Sequence, residues 1–180
     1  NINNTTTHKM EGIITINENM CAKVINDEDF VHYTKLLESR YVKLHHPKVL
    51  SLQKYETGNI LLMEKKGIPL SECENHIIQA AQLFVYEYLN ELHKNGLYHG
   101  DLVRMGGCGI HLDNVLYDDN NDVFYIIDFN SKNSVEMEMD ITKSSKTYCK
   151  SVNLKKKSKK RTSISTTESS CTGQVLAFED

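Results

Sequence analysis

The sequence predicts an α+β fold, and three observations carry that expectation. Between residues 12 and 64, four short runs rich in β-branched and aromatic residues are separated by turn residues, pairing Gly12–Ile16 with Met20–Ile25 and Val49–Tyr55 with Asn59–Glu64. Two stretches, 29–44 and 76–95, instead repeat their apolar residues at spacings of three and four, the period of an amphipathic helix. The third observation is Val123–Asp128, an apolar run that closes on a carboxylate.

Composition narrows the class. At 180 residues, with 39% hydrophobic and 25% charged residues, the chain is long enough to bury a core and ordinary for a soluble protein. No apolar run approaches the roughly 18 residues of a membrane span, so no membrane partner is expected. Five cysteines, Cys21, Cys73, Cys108, Cys149 and Cys171, form an odd set without metal-ligand spacing and read as free thiols of a reducing, intracellular compartment. The net charge of −3 conceals six cations in KKKSKKR at 155–161, which leaves −9 elsewhere. That run has the form of a nuclear-targeting signal, so both cytoplasmic and nuclear locations stay open. It lacks interleaved aromatic residues, and a nucleic-acid partner is not expected.

In chain order, residues 1–9 are a polar Asn/Thr-rich lead-in expected to be disordered. The first hairpin delivers Lys23 on its second strand. The helix over 29–44, with Phe30, Tyr33, Leu36, Leu37, Tyr41 and Leu44 on its apolar face, is expected to take Asp27 or Asp29 as its N-cap and carries Glu38. The second hairpin turns at Glu56-Thr57-Gly58 and runs through Met63 and Glu64 into Lys65-Lys66-Gly67. The helix over 76–95 stops at Gly96. Then come His99-Gly100-Asp101, Asp113-Asn114 and Asp128, three polar sets at the ends of apolar segments. After Phe129 the composition shifts to Ser, Thr and Lys, and 131–180 is expected to be a flexible tail.

The motifs HGDL, DNVLYD and YIIDF resemble the catalytic loop and metal-binding strand of the protein kinase superfamily, HRDxxxxN and DFG. Cys21-Ala22-Lys23 resembles its VAIK strand, and Cys171 to Glu179 resembles the close of its activation segment. The resemblance implies a two-lobed kinase-like fold, with a small β-rich N-lobe over 10–64, a truncated helical C-lobe core over 65–130 and an activation-segment-like tail over 131–180. It implies ATP and Mg²⁺ as cofactors and phosphoryl transfer to Ser/Thr hydroxyls of a protein substrate. In that reading Asp101 and Lys23 are catalytic, Lys23 also meeting the ATP phosphates. Glu38 pairs with Lys23, while Met63, Glu64 and Lys66 line the adenine site. Asn114 and Asp128 hold the metal. The Ser/Thr cluster at 162–170 beside the basic run is a candidate phosphorylation site.

The chain also departs from the pattern. In HRDxxxxN the Asn follows the Asp by five residues, whereas Asn114 lies thirteen beyond Asp101. Removing VRMGGCGI, residues 103–110, restores the match, so these eight residues read as an insertion inside the catalytic loop. If the insertion does not bulge outward, Asn114 misses the metal. Gly12 is the one glycine before Lys23, so the phosphate lid is short or missing. Asn130 replaces the Gly of DFG and is expected to take up the positive φ. Matching Leu44-His-His-Pro47 to the family also shifts the helix glutamate by one position, onto Leu37. A catalytically impaired pseudokinase or interaction module is therefore a second expectation. A small-molecule phosphotransferase, favoured by Gly100 in HGD, is a third. Oligomeric state is not legible.

Overall fold

A computed structural model describes residues 13–104 and 109–149. The architecture is α+β, with two small antiparallel sheets and helices packed around one connected core. Strands β1 (Ile13–Thr15), β2 (Met20–Ile25), β3 (Val49–Tyr55) and β4 (Gly58–Glu64) form a sheet in the order β1-β2-β4-β3. In its register Lys23 lies opposite Leu61 and Cys21 opposite Met63. Because side chains alternate across a strand, Cys21, Lys23 and Ile25 share one face, and Cys21 and Ile25 are buried there while Val24 points to solvent. The second sheet, β5-β6-β7, joins Ile68–Pro69, Val115–Asp118 and Val123–Ile126.

Helix α1 spans Asp27–Leu36 and is capped by Asn26, whose side chain accepts from the Asp29 N–H at 2.8 Å. Asp27 and Asp29, the expected caps, lie instead in the first turn, where their charge complements the positive end of the helix dipole. The predicted continuous helix over 29–44 is also broken. The Ser39 N–H bonds back to Leu36 O, and the Ser39 hydroxyl accepts from Val42 N–H at 3.3 Å, starting the separate short helix α2, Arg40–Leu44. A serine that satisfies a new helix start competes directly with continuation of the old one.

Helix α3, Asn75–Lys94, buries Ala81, Val85, Tyr88, Leu89 and Leu92. It meets Tyr33 and Leu36 of α1, Leu61 and Met63 of β4, and Leu102, Val115, Ile126 and Phe129 in the common core. Each such large side chain contributes about 1.5–3 kcal/mol on burial.

Residues 131–149, expected to begin a flexible tail, instead carry helix α4 over 135–149. Its buried face is Glu138, Thr142, Ser145 and Cys149, while Met137, Met139 and Tyr148 point outward. This polar stripe packs on α3 through hydrogen bonds: His93 to Glu138 at 2.9 Å, Tyr86 to Ser145 at 2.7 Å and Gln82 to Cys149 at 3.6 Å. Cys149 is disulfide-bonded, against the expectation of free thiols throughout; Cys21 and Cys73 are free. Disulfide partners are spatial neighbours, which sequence spacing does not reveal. Among the described residues no helix is long and apolar enough to cross a membrane. The lead-in at 1–9, the insertion tip, the basic run, the Ser/Thr cluster and the Cys171–Glu179 segment lie outside the described residues.

Candidate active site

The loop that leaves α3 is fixed from two sides. His99 is fully buried; its Nε2 meets the Ile127 carbonyl at 2.9 Å, and its Nδ1 accepts from the Asp101 N–H at 3.2 Å, which defines the tautomer as Nε2–H. Burial pushes the imidazole down to about 4, so it is neutral at neutral pH. Gly100 has φ +96°, and a Cβ there would run into the Asn130 carbonyl, so the HGD glycine is demanded by close approach of the DFN loop. Across the same contact, Asn130 N–H donates to His99 O at 2.9 Å. From the other side, the buried Glu138 carboxylate accepts from the backbone N–H groups of His99 at 2.9 Å and Gly100 at 2.6 Å, and pairs with His93. Burial works to raise the Glu138 carboxyl. The His93 hydrogen bond, the neighbouring His99 and the two N–H groups outweigh it and hold the carboxyl below its ordinary range.

The insertion bulges outward. Val103 and Ile110 form an antiparallel bridge, Arg104 N–H donates to Gly109 O at 3.2 Å, and His111 N–H donates to Leu102 O at 2.9 Å. The extra residues thus leave and return as a hairpin whose base closes on itself. Asn114, buried and thirteen residues past Asp101, comes back to it: its Nδ2 donates to Asp101 O at 2.8 Å and lies 3.4 Å from Asp101 Oδ2. His111 Nε2 stands 3.8 Å from the same carboxylate oxygen.

Asp128 follows β7 with φ +70°, a conformation that costs a non-glycine residue about 1–2 kcal/mol. The positive φ expected at Asn130 falls here instead. The strain is held by buried Tyr33 of α1, whose hydroxyl accepts from the Asp128 N–H at 3.0 Å and stands 3.4 Å from the Phe129 nitrogen. Phe129 is wedged among Tyr33, His99 and His46, with ring centroids 4.5, 5.2 and 5.3 Å away. Lys23 reaches from β2 to form an ion pair with the Asp128 carboxylate. Burial lowers the Lys23 ammonium below its ordinary range, and Asp29 and Asp101 act against that shift.

Glu38, expected as the partner of Lys23, is not there. It follows the end of α1, is exposed, and lines a cleft of about 860 Å³ with Phe30, Leu37 and Lys48 on the flank of the sheet. The α1 carboxylate near Lys23 is Asp29, which also accepts from the backbone N–H and the hydroxyl of Ser131, both at 2.8 Å. The reason is the helix break at Ser39, which ends α1 before Glu38 enters it. Met63, Glu64 and Lys66 line a small, largely apolar cavity of about 90 Å³ with Ile13, Cys21, Leu116 and Ile127. Lys66 also pairs with Glu64 at 3.4 Å.

Among the described residues no cluster of three or more His, Cys, Asp or Glu side chains is arranged to hold a metal. Mg²⁺ in phosphoryl-transfer sites needs only one or two protein oxygens beside the substrate phosphates. Asp128 and Asn114 fit that donor set, because Asn114 commits its amide nitrogen to Asp101 and leaves its carbonyl oxygen available. Sequence reasoning missed Glu138, Tyr33, Asp29 and His111. The polar 3.6-residue repeat Glu138-Thr142-Ser145-Cys149 was the signal for Glu138, and a search for apolar periodicity passes over it.

No family model matches this chain, and no curated protein matches it. Among solved structures it is similar to the PknI kinase domain of Mycobacterium tuberculosis at 16% identity and TM-score 0.40, over 61% of this chain and 48% of that one. A double mutant of the same domain gives 17% identity and TM-score 0.42, over 64% and 51%. Monomeric WbdD gives 18% identity and TM-score 0.49, over 78% of this chain and 36% of that one. The chain thus spans about half the length of the PknI domains it is similar to.

Proposed function

We propose that the chain is a kinase-like phosphotransferase that moves the γ-phosphoryl group of ATP to a hydroxyl, with protein Ser/Thr side chains as the acceptors. The observation that carries the reading is the convergence of Lys23, Asp101, Asn114 and Asp128 from four separate segments despite the insertion. In this reading the β1–β4 sheet with α1 is the N-lobe, and α3 with the second sheet belongs to the C-lobe. The cavity between Cys21, Met63 and Leu116 receives adenine. Asp128 and Asn114 hold Mg²⁺, which neutralises phosphate charge. Lys23 exchanges its Asp128 contact for a phosphate oxygen as ATP enters. Asp101 orients the acceptor hydroxyl and takes its proton as the acceptor O–P bond forms and the bond to the leaving ADP oxygen breaks.

The test is transfer of labelled phosphate from Mg-ATP, with Asp101→Asn compared with the wild type. A loss of about 100-fold or more is expected; equal incorporation by the two proteins removes Asp101 from the chemistry. A wild type that is stabilised by Mg-ATP but transfers nothing is instead a nucleotide-binding module.

A second reading, transfer to a small-molecule hydroxyl, is favoured by a specific observation. Only residues 131–134 separate the DFN loop from α4, whose Glu138 already binds the catalytic loop. A small acceptor needs no long segment between them.

A further inference from the structure

His111 is the group beside Asp101 to which the chemistry above gives no task. Its Nε2 is 3.8 Å from Asp101 Oδ2, and its Nδ1 is buried without a hydrogen-bond partner. The two nitrogens together indicate the tautomer. An imidazole with hydrogen on Nδ1 would bury an unpaired N–H and turn a lone pair on Nε2 toward a carboxylate, two unfavourable arrangements at once. With hydrogen on Nε2, the donor faces the carboxylate, and the buried, unpaired atom is the less demanding lone pair. The backbone supports this placement, because His111 N–H is tied to Leu102 O at the base of the hairpin and His111 O accepts from Asn114 N–H at 3.1 Å.

The two Asp101 oxygens are consequently unequal. Oδ2 faces two side-chain donors, His111 Nε2 at 3.8 Å and Asn114 Nδ2 at 3.4 Å. Among the described residues Oδ1 has no hydrogen bond or ion pair, while about half of the side chain remains exposed. One oxygen is held by the protein and the other is open to a substrate.

We propose that His111 is a positioning residue for phosphoryl transfer. Its Nε2–H holds Asp101 Oδ2, so that Oδ1 is the oxygen that receives the acceptor's proton. This rests on the phosphotransferase reading above and adds to it which oxygen acts and what orients it. The short base of the hairpin insertion is part of the device, since it sets His111 beside Asp101 although ten residues of chain separate them.

Two measurements test it on the full chain. The first is long-range ¹H–¹⁵N correlation of the histidine side chains. An Nε2–H tautomer is expected for His111, with its Nε2 resonance moving in Asp101→Asn; an Nδ1–H tautomer, or an unmoved resonance, overturns the proposal without bearing on catalysis. The second is steady-state phosphoryl transfer by His111→Gln, which keeps a side-chain N–H, and by His111→Leu, which does not. We expect kcat to fall about 10- to 100-fold in the leucine variant, with KM for ATP within about twofold and the glutamine variant recovering most of the loss. Equal kcat in all three proteins, or a loss carried by KM, overturns the positioning role. A wild type that binds Mg-ATP without turnover overturns the functional reading itself, and the proposal with it. If the leucine variant does not fold, the glutamine variant and the tautomer measurement decide.

Discussion

Replacing Glu138 by Ala removes the carboxylate that accepts from His99 N–H, Gly100 N–H and His93 in one buried position. Two backbone N–H groups are then left without acceptors, each costing about 1–3 kcal/mol. The buried His93 contact is lost as well. A total of about 3–6 kcal/mol is expected, a large share of the 5–15 kcal/mol that typically holds a domain together. At roughly 2–4 °C per kcal/mol for a chain of this size, the midpoint should fall by about 10 °C or more. Thermal unfolding followed by far-ultraviolet circular dichroism measures it. Glu138→Gln should lie between the two, because its amide offers one acceptor but turns an N–H₂ donor toward the remaining N–H. A Glu138→Ala midpoint within about 2 °C of the wild type would refute the claim that α4 locks the catalytic loop, since unsatisfied buried donors are not that cheap.

Gly100→Ala should destabilise by more than about 2 kcal/mol in denaturant titration, because the left-handed φ and the Asn130 carbonyl both oppose a side chain there; a neutral result would show that the HGD and DFN loops are not in close contact. Lys23→Met should lower kcat/KM for ATP by about 100-fold while shifting the melting midpoint by only a few degrees, which parallel kinetic and thermal measurements separate. Stability should also fall in mild acid. His46 and His99 are each held down to about 4 by burial, against 6.5 when free, so the unfolded chain binds more protons and folding is penalised as pH drops from 6.5 toward 4. Two such groups amount to about 5 kcal/mol between pH 7 and 4.5; denaturant midpoints that stay constant over that range would contradict it.

The hairpins were legible because their apolar alternation and turn residues are local, and Met20–Ile25 and Val49–Tyr55 form strands over the expected residues. The grouping of Asp101, Asn114 and Asp128 was legible from apolar flanks that fix where each segment ends. What escaped notice depends on contacts between distant segments. Asn26 rather than Asp27 caps α1, a choice made by side-chain geometry within three residues of carboxylates. Glu38 loses its expected role because Ser39 starts a new helix, and Asp29 stands near Lys23 in its place. Helix α4 was hidden because its inward face is Glu, Thr, Ser and Cys, while its methionines face solvent, the reverse of the pattern that marks a buried stripe.

The closed base of the hairpin separates two properties that usually travel together in a loop, its length and the position of its ends. Once Leu102 and His111 are bonded and Val103 is bridged to Ile110, the distance from Asp101 to Asn114 no longer depends on how much chain lies beyond the bridge. Doubling such a loop adds only about 0.6 kcal/mol of closure entropy. The spot is thus a permissive port beside the reacting groups, where residues can be exchanged, lengthened or grafted while the carboxylate and the amide keep their separation.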